Sequence, residues 1–293
     1  LAWFDGANDY LEVADDAALD MGTGDFSISA WIIVNDSTIA NTIVSKSTSN
    51  DGTAPRWFLR VTATDGFLRM NVHDGTTEVE QNSTFTVDDG NWHHVVVVID
   101  RGTGVTFYKN GGSAESDADT DAQLNIDNNG KFRVGIHGTS NLFAGNINEL
   151  AIWKDAFTLA EVQELYNDGK ALDATTHSAV ANLVGYWRNN GLATWQDLTS
   201  NNNDLTPTNI TETLLIPAGV DGSRDNQGFL MNRQKDTNAL NLTGGEYVDA
   251  GDPATLDITS AITLEAWFKK EDTTTVGMII NRNDSVNICI WWR

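Results

Sequence analysis

Between Phe26 and Val34 the chain alternates without a break. Phe26, Ile28, Ala30, Ile32 and Val34 fall on one side and Ser27, Ser29, Trp31 and Ile33 on the other, the period of two that belongs to an extended strand. A second run, HVVVVI at 94–99, is apolar on both sides and β-branched, which suits a strand covered on both faces at the centre of a sandwich. Turn signals punctuate the rest: DG at 51, 65, 74, 89 and 221, NG at 110 and 129, and GG at 111 and 244. Many short strands and few helices follow, so the expected class is all-β.

One short helix is predicted near 158–168. Thr158 and Glu161 form a T-x-x-E capping box, Leu159, Val162, Leu165 and Tyr166 make one apolar face, and Gly169 supplies the stop. Its expected part is a structural lid over the end of the sheets.

A large repeat is also visible. FDGANDYLEVADDAALDMGTGDFSISAWIIV returns late in the chain as NLTGGEYVDAGDPATLDITSAITLEAWFK. Tyr10 aligns with Tyr247, Leu19 with Leu256 and Asp20 with Asp257 at one constant spacing, and a single deletion then brings Trp31 onto Trp267. A period this long is a whole domain.

After the Trp31 strand come IVSK (43–46), GNWHHVVVVID (90–100), FYKNG (107–111), FRVG, FAGNINELAIW (143–153) and FTLAEVQELYNDG, in that order. This succession resembles the laminin-G-like jelly-roll family of the concanavalin A-like lectin and glucanase superfamily. The resemblance implies a jelly-roll sandwich of two antiparallel sheets. LVGYWRNNG and WQDLTSNNNDLTP resemble the opening strands of a further copy. The expected organisation is therefore a jelly roll over 1–172 that lacks its first strands, a small and polar linker over 173–182, and an incomplete second unit over 183–293. Half a sandwich leaves unpaired edges, so strands from an adjacent chain, from flanking sequence or from the first unit are expected to complete it. The tandem arrangement, with the GVDGSRDNQGFLMNRQK insertion at 219–235, resembles structural proteins of marine phages.

Charge excludes some partners. A net charge of −23 repels nucleic acid and anionic membrane. No stretch approaches the roughly 18–20 apolar residues of a spanning helix, so membrane insertion is not expected. Cys289 is alone, which leaves no intrachain disulfide and points to a bacterial or viral protein or to a fold large enough to need no staples.

Glucanases of the superfamily resemble one another in an E-x-D-x-E or E-x-D-x-x-E strand, which is missing here; the acid-rich ESDADTD at 115–121 has aspartates in place of the glutamates. A non-enzyme is expected. His93 and His94 read as hydrogen-bonding residues at a strand entrance. The resemblance implies a structural Ca²⁺ held by Asp5, Asp9, Asn148 and Glu149, with Asn148 standing where an aspartate is usual. Asp5 and Asp9 read equally well as the turn before a Tyr10–Val13 strand, and both readings stand open.

A sugar-binding module needs aromatic platforms on an exposed surface. Trp31, Trp92, Trp153, Trp187 and Trp267 match core positions of the family, which leaves Trp3, Trp57, Trp195, Trp291 and Trp292. Arg56 and Trp57 follow a loop and can pair a hydrogen-bond donor with a stacking surface; WFLRV also alternates as a strand whose first inward residue is Trp57. The functional expectation is a non-catalytic module for glycan or host-surface attachment on an extracellular or virion surface, with neighbouring copies or chains as further partners. Its alternatives are a structural or decoration subunit of a virion and an accessory carbohydrate-binding module of a secreted bacterial enzyme or adhesin.

Overall fold

The computed structural model describes residues 4–48, 53–112, 115–117, 124–189, 194–210, 277–282 and 288–292, with 115–117 and the last two stretches described by backbone alone. The chain divides into two compact units, Leu1–Thr237 and Asn238–Arg293. In the first lie β1 (Phe4–Asp5), β2 (Tyr10–Val13), β3 (Phe26–Val34), β4 (Asn41–Ser47), β5 (Arg56–Val61), β6 (Phe67–His73) and β7 (Glu78–Thr86). They are followed by β8 (His93–Asp100), β9 (Gly104–Lys109), β10 (Glu115–Asp117), β11 (Lys131–Val134), β12 (Ala144–Trp153), α1 (Leu159–Tyr166), β13 (Leu183–Trp187) and β14 (Thr206–Thr208).

The strands build two seven-stranded sheets. One runs β1-β12-β3-β8-β9-β10 with β13 also paired to β12, and the other runs β14-β2-β11-β4-β5-β6-β7. Neighbours are antiparallel, as in β3 against β8 and β5 against β6. The expected all-β sandwich is present, and the alternation explains where its core sits. Phe26, Ile28, Ala30, Ile32 and Val34 of β3 join Val95, Val97 and Ile99 of β8 in the cluster between the sheets. Val96 and Val98 point the other way, into a second cluster with Val162 and Leu165 of α1. HVVVVI is apolar on both sides because β8 is covered on both sides.

The helix forms where its cap directs. Thr158 accepts from the Glu161 N–H while the Glu161 side chain accepts from the Thr158 N–H, and Asn167 ends the helix in the left-handed region at φ 46°. Leu159, expected on the apolar face, is exposed because it lies in the first turn beyond the edge of the sheet. Among the described residues, no helix is long and apolar enough to cross a membrane.

The chain does not leave the sandwich at 173–182. His177 in that stretch is buried and stacks on Phe157 at 5.0 Å between ring centroids. Beyond it, β13 pairs with the Leu150–Trp153 half of β12, continuing the edge that β1 begins at Ala144 and Gly145. Then β14 pairs with β2 at the edge of the opposite sheet. Trp187 at the end of β13, and Trp195 and Leu205 between the two strands, enter the core of the first unit, with Trp187 stacked on Phe132 at 5.0 Å and Trp195 edge-on to Phe4 at 6.2 Å. The segment expected to open a second unit at 183 thus closes the first. Burial of three large apolar side chains in one existing core decides its partner. In the second unit β15 (Gly277–Arg282) and β16 (Ile288–Trp292) form an antiparallel pair. Most of the sequence copy there, Trp267 included, lies outside the described residues, as do Trp3 and the 219–235 insertion.

Candidate functional site

Trp57, Leu59 and Val61 of β5 and Leu68, Met70 and Val72 of β6 belong to the core. The intervening residues therefore face outward, and the register stacks them in rows across the sheet. Ser47, Arg56, His73 and Glu78 make one row. Arg133, Ser45, Phe58, Asn71 and Glu80 make the next, and Thr42, Arg60, Arg69 and Asn82 a third.

This face is crowded and polar. Arg56 donates through Nη2 to Glu78 at 2.6 Å, and Asn71 donates to the same carboxylate at 2.7 Å. Arg69 pairs with Glu80 at 2.7 Å and donates to Asn82 at 2.7 Å. Arg60 reaches Glu80 only at 3.9 Å. Phe58 is covered on both sides, by the His137 ring at 4.6 Å and by the Arg60 guanidinium at 4.6 Å. It therefore holds its neighbours in place and offers no stacking surface.

Among the described residues, buried side-chain atoms without a hydrogen-bond partner gather here: Arg56 Nη1, Arg60 Nε, Asn71 Oδ1, His137 Nε2, Ser47 Oγ and Thr42 Oγ1. An unmet buried polar atom costs about 1–3 kcal/mol, so this stretch of the sheet carries a local excess of hydrogen-bonding capacity, shielded from bulk solvent. Burial, with the Arg56, Arg60 and Arg133 charges adding to it, lowers the His137 pKa to about 4. The imidazole is neutral near pH 7 and can accept or donate. Asn71 and then Arg56 hold Glu78 below its usual range.

The residues expected to bind ligand divide. Arg56 lies on this face, but Trp57 is fully buried, packed against Phe26 at 5.9 Å and Phe132 at 6.0 Å. Trp57 is the inward residue of its strand, and the stacking reading is corrected. Trp195 is likewise core. The residues that sequence reading passed over are Arg60, Arg69, Asn71 and His137.

The four residues expected to hold calcium fall into two separate groups. Asp5 caps its own turn, accepting from the Ala7 N–H at 2.7 Å and the Asn8 N–H at 3.1 Å, while Asp9 accepts from the Asp5 N–H at 3.0 Å. Asn148 and Glu149 sit elsewhere on β12. Asp5 opposes Ala144, and four residues of strand then separate the two groups by about 13 Å. Ligands of one Ca²⁺ all lie within about 2.6 Å of it, so these residues do not fit one ion. Among the described residues, no group of three or more His, Cys, Asp or Glu side chains is placed to hold a metal. A nearby acidic pair, Asp15 and Asp20, is bridged by the ammonium of Lys46 at 2.7 and 2.6 Å.

Glu149 serves the opposite outer face, under α1. A break in register between Asn148 and Ala151 places it at φ 49°, and it accepts from Tyr186 Oη and from Arg188 Nε at 2.9 Å. Arg188 also meets Asp173 at 3.4 Å, and Asn148 accepts from the Asn189 N–H at 2.9 Å. Burial opposes the charge on Arg188, but the Glu149 carboxylate outweighs it and raises the pKa; burial and Glu149 together raise that of Tyr186. His94 bonds Ser29 at 2.8 Å, and burial lowers its pKa to about 3. His93 meets Asp89 at 2.8 Å at the entrance to β8, the strand-entry role expected of it.

A family model described as the concanavalin A-like lectin/glucanases superfamily matches residues 5–163. No curated protein matches the chain. Among solved structures, the chain is similar to a candidate carbohydrate binding protein from Bacteroides ovatus, at 21% identity and a TM-score of 0.51 over 74% of this chain and 62% of that one. It therefore spans less than two thirds of that protein. It is also similar to a heptameric SAP-like pentraxin from Limulus polyphemus, at 16% identity and a TM-score of 0.41 over 56% of this chain and 80% of that one. A third likeness is to the binding domain of botulinum neurotoxin DC in complex with SialylT, at 17% identity and a TM-score of 0.43 over 54% of this chain and 39% of that one.

Proposed function

The chain belongs to the concanavalin A-like lectin/glucanase superfamily, and from that membership we propose that its first unit is a non-catalytic glycan-binding module displayed on an extracellular or virion surface. The observation that carries this reading is the polar outer face of β5, β6 and β7, where the partly exposed side chains of Arg60, Arg69 and Glu80 stand together. Sugars offer hydroxyls that donate and accept at short intervals, the chemistry such a surface lacks. The Bacteroides ovatus relative, itself a candidate carbohydrate binder, supports the choice of ligand.

The same face argues against hydrolysis. Glu78 and Glu80 lie on one side of β7, but a retaining or inverting glycosidase keeps one carboxyl protonated at working pH. Here Glu78 is tied to Asn71 and Arg56, which hold its pKa below the usual range, and Glu80 is paired with Arg69. A structural role in a virion, or service as an accessory module of a secreted enzyme or adhesin, is the second reading; the closure of the sandwich by residues 183–208 favours an architectural part in an array. Repetition of weak sites along such an array raises avidity.

Glycan-array and host-cell binding by the intact chain test the proposal, with Arg69→Glu as the control because its side chain is partly exposed and outside the core. Binding that disappears in the variant at unchanged melting temperature supports the reading. Blank arrays and cells, with particle assembly disrupted when the protein is removed, would replace it with the architectural one.

A further inference from the structure

Arg60 and Arg69 stand directly opposite each other on adjacent antiparallel strands. Like charges in that position repel, and natural sheets avoid it unless an anion lies between them. The described partner is Glu80, and it is committed to Arg69 at 2.7 Å while lying 3.9 Å from Arg60. Glu80 thus lies between two guanidiniums, with Glu78 a further, weaker anionic neighbour of Arg60. Two rows away, Arg56 spends Nη2 on Glu78 and leaves Nη1 buried without a partner. Arg133, across the face, shares Glu12 with Lys131.

The imbalance extends over the whole face. Among the described residues, Arg56, Arg60, Arg69, Arg133 and Lys131 oppose Glu12, Glu78 and Glu80 on this face, a cationic excess on a chain whose net charge is −23. A basic patch on so acidic a protein is not a by-product of composition. The guanidinium is also the side chain whose planar fork matches a carboxylate or sulfate through paired N–H donors. The Arg60 guanidinium lies over the Phe58 ring at 4.6 Å and is partly exposed, with its Nε buried beneath.

We propose that the glycan bound by this face is acidic, and that the partly exposed guanidiniums of Arg60 and Arg69 receive its carboxylate or sulfate. The inference rests on the glycan-binding reading and narrows it to a ligand class. The negative field of the whole protein repels a polyanion from a distance, whereas the contact itself is short and partly shielded from solvent. Raising the salt from about 10 mM toward 150 mM, where the Debye length falls from about 30 Å to 8 Å, therefore weakens the long-range repulsion more than the contact. Association with an acidic oligosaccharide should quicken over that range, opposite to the usual behaviour of a basic protein.

The test is calorimetric titration of the intact chain with four probes of matched length: a polyuronate oligosaccharide, a sulfated galactan oligosaccharide, and the neutral counterpart of each made by carboxyl reduction or desulfation. The expected result is that one acidic probe binds about tenfold to a hundredfold more tightly than its neutral counterpart, the range for hydrogen bonds to charged groups. Which acidic probe shows the preference assigns carboxylate or sulfate. Arg60→Gln should erase the preference at unchanged circular dichroism, and Arg60→Lys should restore only part of it because a point charge lacks the fork. Equal binding of acidic and neutral probes overturns the acidic ligand and leaves the glycan reading standing. Loss of all binding in Arg60→Gln with the neutral probe as well would assign Arg60 to general sugar contact and also overturn it. Failure of every probe to bind the wild-type chain counts against both readings.

Discussion

The two outer faces of the sandwich treat buried charge in opposite ways. Under α1, Glu149 is buried but meets Arg188 and Tyr186, and Arg188 goes on to Asp173, so each charge has its complement. On the β5–β6–β7 face two arginines oppose each other and share a single carboxylate. The first face is sealed by apolar side chains of the helix, Val162 and Leu165, over Val96 and Val98. No helix covers the second among the described residues. A charge network that closes on itself reads as architecture. One that stops short reads as half of an interaction.

The largest effect that sharpens this contrast is on the covered face. Arg188→Met strands Glu149 without a counter-charge, and breaking a buried pair costs about 3–5 kcal/mol; the lower end applies because Arg188 is partly exposed. Urea denaturation should show that loss, and a change below about 1 kcal/mol would mean the network does not hold the fold.

Acid distinguishes the faces next. His94 under the helix and His137 on the open face have folded pKa values of about 3 and about 4, against an ordinary 6.5. Folding lowers both, so the unfolded chain binds protons first as the pH falls. Their contribution to stability is complete above about pH 6.5 and is lost toward each folded value, at about 1.4 kcal/mol per pH unit for each histidine. Denaturation midpoints measured down that range in His94→Asn and His137→Asn should each recover one share of the slope. An acidic ligand, by offsetting the arginines that depress His137, should shrink the His137 share and leave that of His94 unchanged.

The lid comes third. Thr158→Ala removes the helix cap and should cost about 1 kcal/mol in stability with glycan affinity unaltered. Any fall in affinity would place the covered face in the binding site. The smallest effect is Arg60→Gln without ligand: relief of the opposed charges should leave stability equal or raise it by about 0.5 kcal/mol. A clear loss would show that Arg60 is paired for structure after all.

Much of the architecture was legible because its signals are local. Alternation at Phe26–Val34, the two-sided HVVVVI run and the Thr158 cap each depend on a few consecutive residues, and each forms as expected. Partnership was not. LVGYW announces a strand but carries nothing to say whether it pairs forward or backward along the chain, and its pairing with β12 is settled by the core that receives Trp187. The arginine pair lies between these extremes. The DG signal announces the β5–β6 hairpin, but centring it on Asp65–Gly66 would set Arg60 against Asn71; the actual centre, one residue earlier at Thr64–Asp65, is what sets Arg60 against Arg69. At Trp57 the pattern itself favoured burial: Trp57, Leu59 and Val61 are apolar while the other set carries Arg60, and Trp57 packs inward against Phe26 of the opposite sheet and Phe132 of its own.

The strands at 183–208 carry a practical consequence for anyone excising this domain. The family match ends at 163, but the sandwich continues to Thr208. A fragment cut at the match would bare half of β12 and the edge of β2, and would remove Trp187, Trp195 and Leu205 from its interior. Such a fragment would aggregate, or capture the corresponding segment from another molecule, because its open edges accept any strand of suitable pattern. The unit of folding is longer than the unit of homology, and expression boundaries chosen from the latter would report on a different protein.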